Sequence, residues 1–407
     1  MRRVGIFGWG VVAPKSPNIE AFEKNLHAAD SWLQPFNGFG PDNFLVGMPA
    51  FDFGAYRDWV VERFKSRKFS QLDSKMGLPV KYAIGAYIQA LGQNPGLSDE
   101  LSRLGTRAHV YIGTGLGDLP TQYEQSLTLY RAQRCWNHFW AAPEHNSVRQ
   151  HYAARGLPTG DLDGVEVPPA PDTAGELERE QVEDEWWRFW AERSPQLREF
   201  LDEYRKLEGL AVEGDVESGK LSAMKEKRRG LRRLRERWGA PQPPWEAVSA
   251  NLIWNIDNIA AAQISMMGQI TGMAVSVGAA CSTFGVGLKM ALDAIRRDEA
   301  DAVVLGATDP PPHPLLVGSF YNARVISADA QVSKPLTELR GTHVAGGSVV
   351  WIVGDMERMT ARGFRPLGME PLAVGVTSDA DHIITPSQVG PTVAMRSALR
   401  QAQVDGG

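Results

Sequence analysis

Apolar residues recur with strand-like and helix-like spacing in the first 120 residues of the chain. Short apolar runs at Val4–Phe7 and Val110–Gly113 predict buried strands, and the periodicity over Tyr82–Leu91 predicts an amphipathic helix. The same pattern returns after residue 246, where Val303–Leu305 and Val349–Val353 predict further strands. The two ends of the chain therefore share one alternating pattern of strands and helices.

The segment from about 121 to 245 differs from both flanking parts and is interpreted as a helical insertion. Helical periodicity over Glu176–Tyr204 and Ser222–Trp238 predicts two helices, with a turn region at Gly209–Gly219. The acidic start of the first helix is expected to face the basic end of the second in a hairpin. Seven of the twelve tryptophans lie in this segment: Trp136, Trp140, Trp186, Trp187, Trp190, Trp238 and Trp245.

The second predicted helix of the insertion carries a run of basic side chains. One interpretation is a docking patch for an acidic partner, because charge complementarity raises the rate of encounter. The simpler interpretation, which we favour, is a helix face exposed to solvent. The basic residues are Lys225, Lys227, Arg228, Arg229, Arg232, Arg233, Arg235 and Arg237.

Composition narrows the class of protein. The chain has 407 residues and a formal net charge of −5, with 43% apolar and 22% charged residues, as in ordinary soluble globular proteins. This balance is unlike that of nucleic-acid-coating proteins, which present a clustered basic face. Two cysteines are too few for a disulfide scaffold, so a reducing, cytoplasmic setting is expected.

No segment is interpreted as a targeting or membrane-spanning element. The run Val4–Ala13 follows two arginines, but it lacks a small-residue cleavage site and predicts a buried first strand with a glycine turn. Ile259–Ala280 is uncharged and long enough to cross a bilayer, yet polar residues and glycines interrupt it. It predicts a buried helix, a turn and a buried strand.

Glycine and histidine patterns indicate neither a nucleotide site nor a metal site. Gly5–Gly10 and Gly113–Gly117 each follow a strand, but neither has the order of a dinucleotide-binding loop. The eight histidines are scattered without the spacing of metal ligands, and no second thiol accompanies Cys135. No bound metal is therefore expected.

The clearest candidate for chemistry is Cys281. The strand-like run Met273–Val277 ends in small residues, and the helical stretch Thr283–Arg296 follows the cysteine. A thiol at such a turn lies near the positive end of the helix dipole, which stabilises the thiolate and favours a nucleophile. Small neighbours let a substrate carbonyl approach, and backbone N–H groups there can hold an oxyanion. By this chemistry alone, a buried structural cysteine remains the alternative.

The segment around this thiol resembles the nucleophile region of the β-ketoacyl synthases, the condensing enzymes of the thiolase-like fold. The family pattern is a glycine, a strand and an Ala-Cys-small-Ser turn, which reads here Ala280-Cys-Ser-Thr283. Further similar segments occur in the family's order and lie outside 121–245. They are Val4–Pro14, Phe51–Tyr56, Ile112–Gly117, Ala250–Ile264, Asp301–Asp309 and Ser378–His382.

The resemblance implies a thiolase-like layered αβαβα fold, of the α/β class, with a helical insertion and an incomplete C-terminal half. In this view 1–120 forms the first part of the N-terminal half and 121–245 the Trp-rich charged insertion. The segment 246–407 then holds the nucleophile strand and helix and the start of the C-terminal half. The implied activity is that of a β-ketoacyl synthase-like acyltransferase in fatty acid or polyketide synthesis, where Cys281 accepts an acyl group for decarboxylative Claisen condensation.

The resemblance also implies the substrates and partners. Acyl groups would arrive on the phosphopantetheine of an acyl carrier protein or of CoA, and no other cofactor is expected. Asn251 and Phe284 are the weaker candidates for the substrate pocket. A homodimer, or a heterodimer with another ketosynthase, is expected, and neither nucleic acid nor a membrane is an expected partner.

The sequence departs from the family pattern where the family completes its catalytic machinery. The two catalytic histidine motifs of the family follow the region matched by Ala394–Val404, and none of the eight histidines lies in either. His382 matches a family histidine that is not catalytic. The family glutamate is replaced by Gly347, and His343 falls where the family has phenylalanine, with core packing as the favoured interpretation.

These departures leave three functional alternatives to an active synthase. The chain is expected to be a fragment of a longer protein, inactive alone, or to have its other half on a separate chain. A non-catalytic degenerate partner, similar to a chain-length factor, is a second alternative. A simple thiol acyltransferase or thioesterase is the third.

Overall fold

The computed structural model describes residues 2–28, 30–40, 44–158, 160–209, 218–326, 331–333, 341–380 and 387–403, with the backbone only for 218–223. The chain forms two compact units. Unit 1 comprises Met1–Gln122 and Ala250–Gly407, and unit 2 comprises Tyr123–Ser249. The predicted insertion, 121–245, overlaps unit 2 almost completely in sequence.

Strands and helices are distributed over both units. The described strands are β1 Val4–Val12, β2 Gln34–Pro35, β3 Leu45–Val46, β4 Ala108–Gly113, β5 Asp161–Leu162, β6 Val165–Glu166, β7 Ala274–Val275, β8 Ala302–Asp309 and β9 Gly347–Asp355. The described helices are α1 Ile19–Ala28, α2 Arg57–Arg63, α3 Ser66–Lys75, α4 Leu78–Gly92, α5 Leu97–Leu104, α6 Leu119–Ala141, α7 Ser147–Arg155, α8 Arg179–Glu192, α9 Pro195–Glu208, α10 Ser218–Trp238, α11 Pro244–Ala247, α12 Ile259–Gly268, α13 Thr283–Arg296, α14 Pro314–Asn322, α15 Met356–Ala361 and α16 Val389–Ala402.

The main sheet of unit 1 has the strand order β1-β9-β8-β4-β7. β9 pairs antiparallel with both β1 and β8, whereas β8, β4 and β7 run parallel to one another. Gly113, the last residue of β4, pairs with Ala307, two residues before the end of β8. The carboxyl ends of the three parallel strands therefore meet at one edge of the sheet.

Helices cover both faces of this sheet, so the sheet and the helices together form three layers. Because successive strand side chains point to opposite faces, Val304 packs in the cluster with α4 and α12, while Val303 and Leu305 pack in the cluster with α13. The prediction that Tyr82–Leu91 is amphipathic is wrong. Its residues are buried on nearly all sides of α4, since that helix contacts β1, β9 and α12 at once.

The predicted glycine turn at the end of the first strand is wrong. β1 continues through Gly8 and Gly10 to Val12, and the turn begins only at Pro14. A Cβ at Gly8 or Gly10 would collide with the backbone carbonyl oxygen of Ala90 or Ala86 in α4. The glycines therefore let α4 lie directly on the strand.

The segment Ile259–Ala280 forms the predicted helix and turn, but its strand differs from the prediction. α12 ends at Gly268, and β7 has only two residues, which are not buried. β7 pairs with β4 and lies at the edge of the sheet. No helix within the described ranges is long and apolar enough to cross a membrane.

Unit 2 has an aromatic core in which Trp140, Trp190 and Phe200 are fully buried. The single helix predicted over Glu176–Tyr204 is in fact two, α8 and α9. The break falls at Ser194, whose hydroxyl accepts a hydrogen bond from the Leu197 N–H at 3.1 Å and caps α9. Pro195 then occupies the first turn, where it has no helical N–H to lose.

The predicted hairpin of acidic and basic helices is not the observed pairing. The acidic start of α8 meets Arg134 of α6, which pairs with Glu180 at 3.1 Å and Asp184 at 2.7 Å. The basic helix α10 packs instead on α9, where Arg237 pairs with Glu203 and Lys227 lies 3.6 Å from Glu208. The predicted turn region Gly209–Gly219 falls largely on residues outside the described part of the chain.

Candidate active site

Cys281 lies where the chain passes from β7 into α13. A short 3₁₀ turn, Ala280–Ser282, precedes Thr283, the first residue of the helix, and the thiol is exposed. The buried structural cysteine is therefore excluded. This position is at the edge where the parallel strands end, which is where open α/β sheets bind their ligands.

Thr283 holds the bend around Cys281 from inside. Its buried hydroxyl accepts a hydrogen bond from the Ala279 N–H at 3.1 Å and donates one to the Ala280 carbonyl at 2.7 Å. Ala280 has a φ of 45°, in the left-handed region that costs an L-residue about 1 kcal/mol or more. The backbone before the thiol is thus bent tightly and fastened by one side chain.

Gly113 at the end of β4 permits the close approach of this bend. A Cβ there would collide with the Val277 carbonyl oxygen and the Thr283 side chain. Only glycine lets the end of β4 lie directly against the start of α13. Gly113, the last residue of β4, therefore has a packing role at the candidate site.

Asp309, the last residue of β8, binds the loop that follows β4. Its Oδ1 atom accepts hydrogen bonds from the Thr114 hydroxyl at 3.0 Å, the Gly115 N–H at 2.9 Å and the Leu116 N–H at 3.2 Å. Burial raises the pKa of the Asp309 carboxyl, although these hydrogen bonds oppose the rise. The loop 114–117 is therefore tied to β8 at the same edge as Cys281.

Asn251 and Phe284, the two candidates for the substrate pocket, make structural contacts. The Asn251 amide lies 3.5 Å from the Ser74 carbonyl, and its own carbonyl accepts a hydrogen bond from Asn255. The Phe284 ring meets Trp351 of β9 edge to face at 5.0 Å. Neither contact tests a role in substrate binding, which stays a prediction for both residues.

Histidines that the sequence singled out lie elsewhere. His343 bridges two segments, since its ring lies 3.0 Å from the Leu45 carbonyl and accepts a hydrogen bond from the Ser333 N–H at 2.8 Å. His382 lies outside the described residues. Among the histidines within the described ranges, none is hydrogen-bonded to the Cys281 thiol, and the described side chains form no group of three that could hold a metal ion.

Sequence reasoning missed Thr283 and Asp309 as parts of this site. Thr283 was visible as a hydroxyl residue just beyond the cysteine, at the start of a predicted helix. Asp309 was visible as a carboxylate at the end of a predicted strand. Their partners lie across the fold, so no local pattern identified either role.

A wide cavity in unit 2 is less suited to chemistry than the Cys281 edge. It is lined by Tyr130, Arg134, Glu180 and Asp184 among others. These groups bind one another, since the Tyr130 hydroxyl donates to both Glu180 and Asp184 and Arg134 pairs with the same acids. We therefore take the edge around Cys281 as the candidate active site.

Comparison with known proteins supports this choice. Residues 225–354 match the family described as Beta-ketoacyl synthase, N-terminal domain, a range that contains Cys281, α13, β8 and all of β9 except its last residue. The match starts within α10, inside the stretch interpreted as an insertion. The predicted resemblance of the chain to the N-terminal portion of the β-ketoacyl synthase family is confirmed.

Curated relatives match over a limited part of their length. Nodulation protein E from Rhizobium sp. (strain N33) is 31% identical over 144 residues, which is 35% of this chain and 35% of that protein. A 3-oxoacyl-[acyl-carrier-protein] synthase 2 from Vibrio cholerae is 29% identical over 158 residues, which is 37% of this chain and 38% of that protein. The aligned regions thus span little more than a third of these relatives.

Solved structures match over the whole chain. The ishigamide ketosynthase/chain length factor has a TM-score of 0.58 at 20% identity, covering 99% of this chain and 70% of the other. A type II polyketide acyl-carrier protein complex with its ketosynthase, bound to a hexaketide, also gives 0.58, at 15% identity and with 100% and 71% covered. These likenesses confirm the predicted thiolase-like α/β fold.

Proposed function

We propose that the chain is a β-ketoacyl synthase-like acyltransferase in which Cys281 accepts an acyl group. The observation that carries this proposal is an exposed thiol at the start of α13, on a bend fastened by Thr283. A nucleophile must be reachable by a bulky thioester and held in one geometry, and this thiol meets both conditions. The family match over 225–354 supports the same role.

The proposed reaction begins with acyl transfer. The Cys281 thiolate attacks the carbonyl carbon of an acyl thioester, and the new carbon–sulfur bond forms as the carbonyl oxygen becomes an oxyanion. The Cys281 backbone N–H is the proposed donor to that oxyanion. When the oxyanion collapses, the bond to the carrier sulfur breaks, and the carrier leaves as a thiol once protonated.

Condensation is the proposed second stage. A malonyl-type extender loses CO₂, and the resulting carbanion attacks the acyl thioester on Cys281, which releases the thiolate and forms a β-ketoacyl product. This stage needs hydrogen-bond donors for the enolate. The family supplies them through two histidines, and none of the described histidines is bonded to Cys281, so condensation is the less supported stage.

The proposed partners follow from the carrier chemistry. The acyl donor is an acyl carrier protein or CoA, whose phosphopantetheine brings the thioester, and no further cofactor is proposed. The solved complex of a polyketide acyl-carrier protein with its ketosynthase supports a carrier partner. Pairing with a second ketosynthase-type chain, identical or different, is also proposed, in a cytoplasmic setting.

Gly347 favours a second candidate, a non-catalytic partner that shapes a synthase. This residue stands where the family has a glutamate. It has a φ of 148°, and a Cβ would collide with the Val12 carbonyl oxygen, so the observed backbone accepts no larger residue there. One structural neighbour is a ketosynthase with its chain length factor. The exposed Cys281 favours the catalytic candidate.

The test is acyl transfer to the purified chain from an octanoyl N-acetylcysteamine thioester, followed by intact-protein mass measurement. The proposal predicts one acyl group on the wild-type chain and on a Cys135→Ser variant. It predicts none on Cys281→Ser, because that hydroxyl is a far weaker nucleophile than the thiolate. Cys135 is the matched control, since it is the other exposed cysteine of the chain.

Adding a malonyl thioester to the acylated chain separates the candidates. A β-ketoacyl product supports the synthase, whereas hydrolysis without a condensed product supports the simple acyltransferase or thioesterase. Absence of any acyl group on the wild-type chain contradicts the catalytic proposal and leaves the non-catalytic partner.

A further inference from the structure

Asp309 concentrates its hydrogen bonds on one atom. The Thr114 hydroxyl and the Gly115 and Leu116 N–H groups all donate to Oδ1, at 2.9 to 3.2 Å. Within the described part of the chain, these donors are all neutral, and no ion pair is formed by this carboxylate. The hydrogen bonds between Asp309 and the loop therefore require an oxygen atom at the Oδ1 position more than they require a negative charge.

The loop that Asp309 holds is itself tightly ordered. The Thr114 hydroxyl, while donating to Asp309, accepts hydrogen bonds from Leu116 N–H at 3.2 Å and Gly117 N–H at 2.9 Å. The carboxylate and the hydroxyl together bind three consecutive backbone N–H groups. The Asp309 Oδ1 atom and the Thr114 hydroxyl thus fasten the loop 114–117.

This loop lies against the bend that carries the thiol. A Cβ built on Gly115 would lie 3.6 Å from Asp309 Oδ1 and 3.8 Å from the Ala280 Cα atom, so Gly115 stands between the carboxylate and the residue before Cys281. Gly113, just before the loop, lies so close to the Val277 carbonyl and the Thr283 side chain that a Cβ there would collide with both. The loop and the glycine before it therefore lie next to both sides of the bend.

We propose that Asp309 is a positioning residue for Cys281, acting through the loop 114–117. Released from Oδ1, the loop moves away from Ala280, and the bend loses the wall that fixes its left-handed residue. The reactive sulfur then takes several positions relative to a bound thioester. This inference rests on the proposed function and adds a residue that orients the acyl acceptor without touching it.

The experiment compares Asp309→Ala with Asp309→Asn in the acylation assay with the octanoyl N-acetylcysteamine thioester. Asparagine keeps an oxygen at the Oδ1 position, whereas alanine removes it. We expect Asp309→Ala to lower the maximal acylation rate about tenfold with little change in the half-saturating thioester concentration, because misplacing a reacting group slows the chemical step. Asp309→Asn is expected to restore the rate to within about threefold of wild type.

Two further variants control for general destabilisation. Asp293→Ala removes an exposed carboxylate of α13 that pairs with Lys289 at 2.8 Å, and it is expected to leave the rate unchanged. Thr114→Val removes the hydroxyl that Asp309 binds and is expected to slow acylation as Asp309→Ala does. A thermal unfolding curve shows whether Asp309→Ala is folded. If it is not, the acylation rate of Thr114→Val tests the positioning role instead.

A wild-type rate in Asp309→Ala overturns the proposal, and so does an Asp309→Asn variant as slow as Asp309→Ala. If the wild-type chain forms no acyl-enzyme, the proposed function fails but the positioning role is still tested by iodoacetamide. The measured quantity is the ratio of the alkylation rate at Cys281 to that at Cys135. A ratio that changes in Asp309→Ala and returns to the wild-type value in Asp309→Asn supports the positioning role. Equal ratios in all three chains overturn it.

Discussion

The two ends of β8 carry the same residue type in opposite environments. Asp301 lies just before the strand, is buried, and pairs with Arg107 at 2.6 Å and with Arg358 and Arg362. Burial alone would raise its pKa, but hydrogen bonds from Arg107 and Arg358 outweigh burial, so the pKa of this carboxyl is lowered. At the other end, neutral donors bind Asp309, and burial raises its pKa.

This difference separates a structural end of the sheet from a candidate functional end. The Asp301 end is held by charged groups that also bind Asp298, whose pKa is lowered by hydrogen bonds from Arg2 and Arg358. The Asp309 end has a loop, a strained Ala280 and an exposed thiol. Ion pairs fix one end, whereas hydrogen bonds from neutral donors fix the opposite end, where the candidate nucleophile is exposed.

The largest expected effect that tests this comparison is on stability. Asp301→Asn is expected to lower the free energy of unfolding by about 2 kcal/mol, because the buried carboxylate loses its charge-assisted hydrogen bonds from partly exposed arginines. Asp309→Asn is expected to change it by about 1 kcal/mol or less, since its donors are neutral and an oxygen remains. Urea unfolding at pH 7 measures both values.

Asp293→Asn serves as the matched surface control in that experiment. Its pair with Lys289 is exposed on both sides, so a loss of about 0.5 kcal/mol or less is expected. If Asp301→Asn costs no more than Asp309→Asn, the two ends of β8 do not differ in the way described.

A smaller effect is expected in the pH dependence of the same two variants. The folded pKa of Asp301 lies below the ordinary value of 3.8, so its stabilisation is complete above that pH and is lost as the pH falls through the folded pKa. The stability gap between wild type and Asp301→Asn should therefore shrink in acid. The folded pKa of Asp309 lies above 3.8, so its contribution to stability is complete below 3.8 and is lost as the pH rises through the folded pKa.

The side chain of Asp309→Asn stays neutral at every pH. This variant should therefore gain stability relative to wild type as the pH rises from 3.8 through the folded pKa of Asp309. Unfolding curves collected between about pH 2 and pH 7 cover both windows and resolve the two directions. Parallel changes in the two variants would show that the charge environments of the two ends are alike.

Local sequence patterns predicted the elements that carry the site. The small residues before Cys281 and the helical periodicity after it predicted a thiol at the start of a helix, and α13 begins at Thr283. The apolar runs at 303–305 and 349–353 predicted β8 and β9. These signals are local because strand and helix periodicity depend on neighbouring residues.

Long-range contacts were not predictable in the same way. Thr114 and Asp309 are 195 positions apart, and their bond exists because β4 and β8 are parallel neighbours. The glycines of β1 suggested a turn, whereas they admit α4, which only the packed structure shows. In unit 2, Arg134 binds the acids of α8, a choice between partners that charge patterns along the chain do not make.

The central claim is that the edge around Cys281 makes this thiol the reactive one, and labelling of the two exposed cysteines tests it most directly. The measurement is substoichiometric iodoacetamide labelling of the folded chain at pH 7, followed by peptide mapping of Cys281 and Cys135. We expect most of the label on Cys281, because its thiol is exposed on a bend that Thr283 fastens at the edge where the parallel strands end, whereas Cys135 lies within the helix α6. Equal labelling of the two cysteines, or label mainly on Cys135, would contradict it.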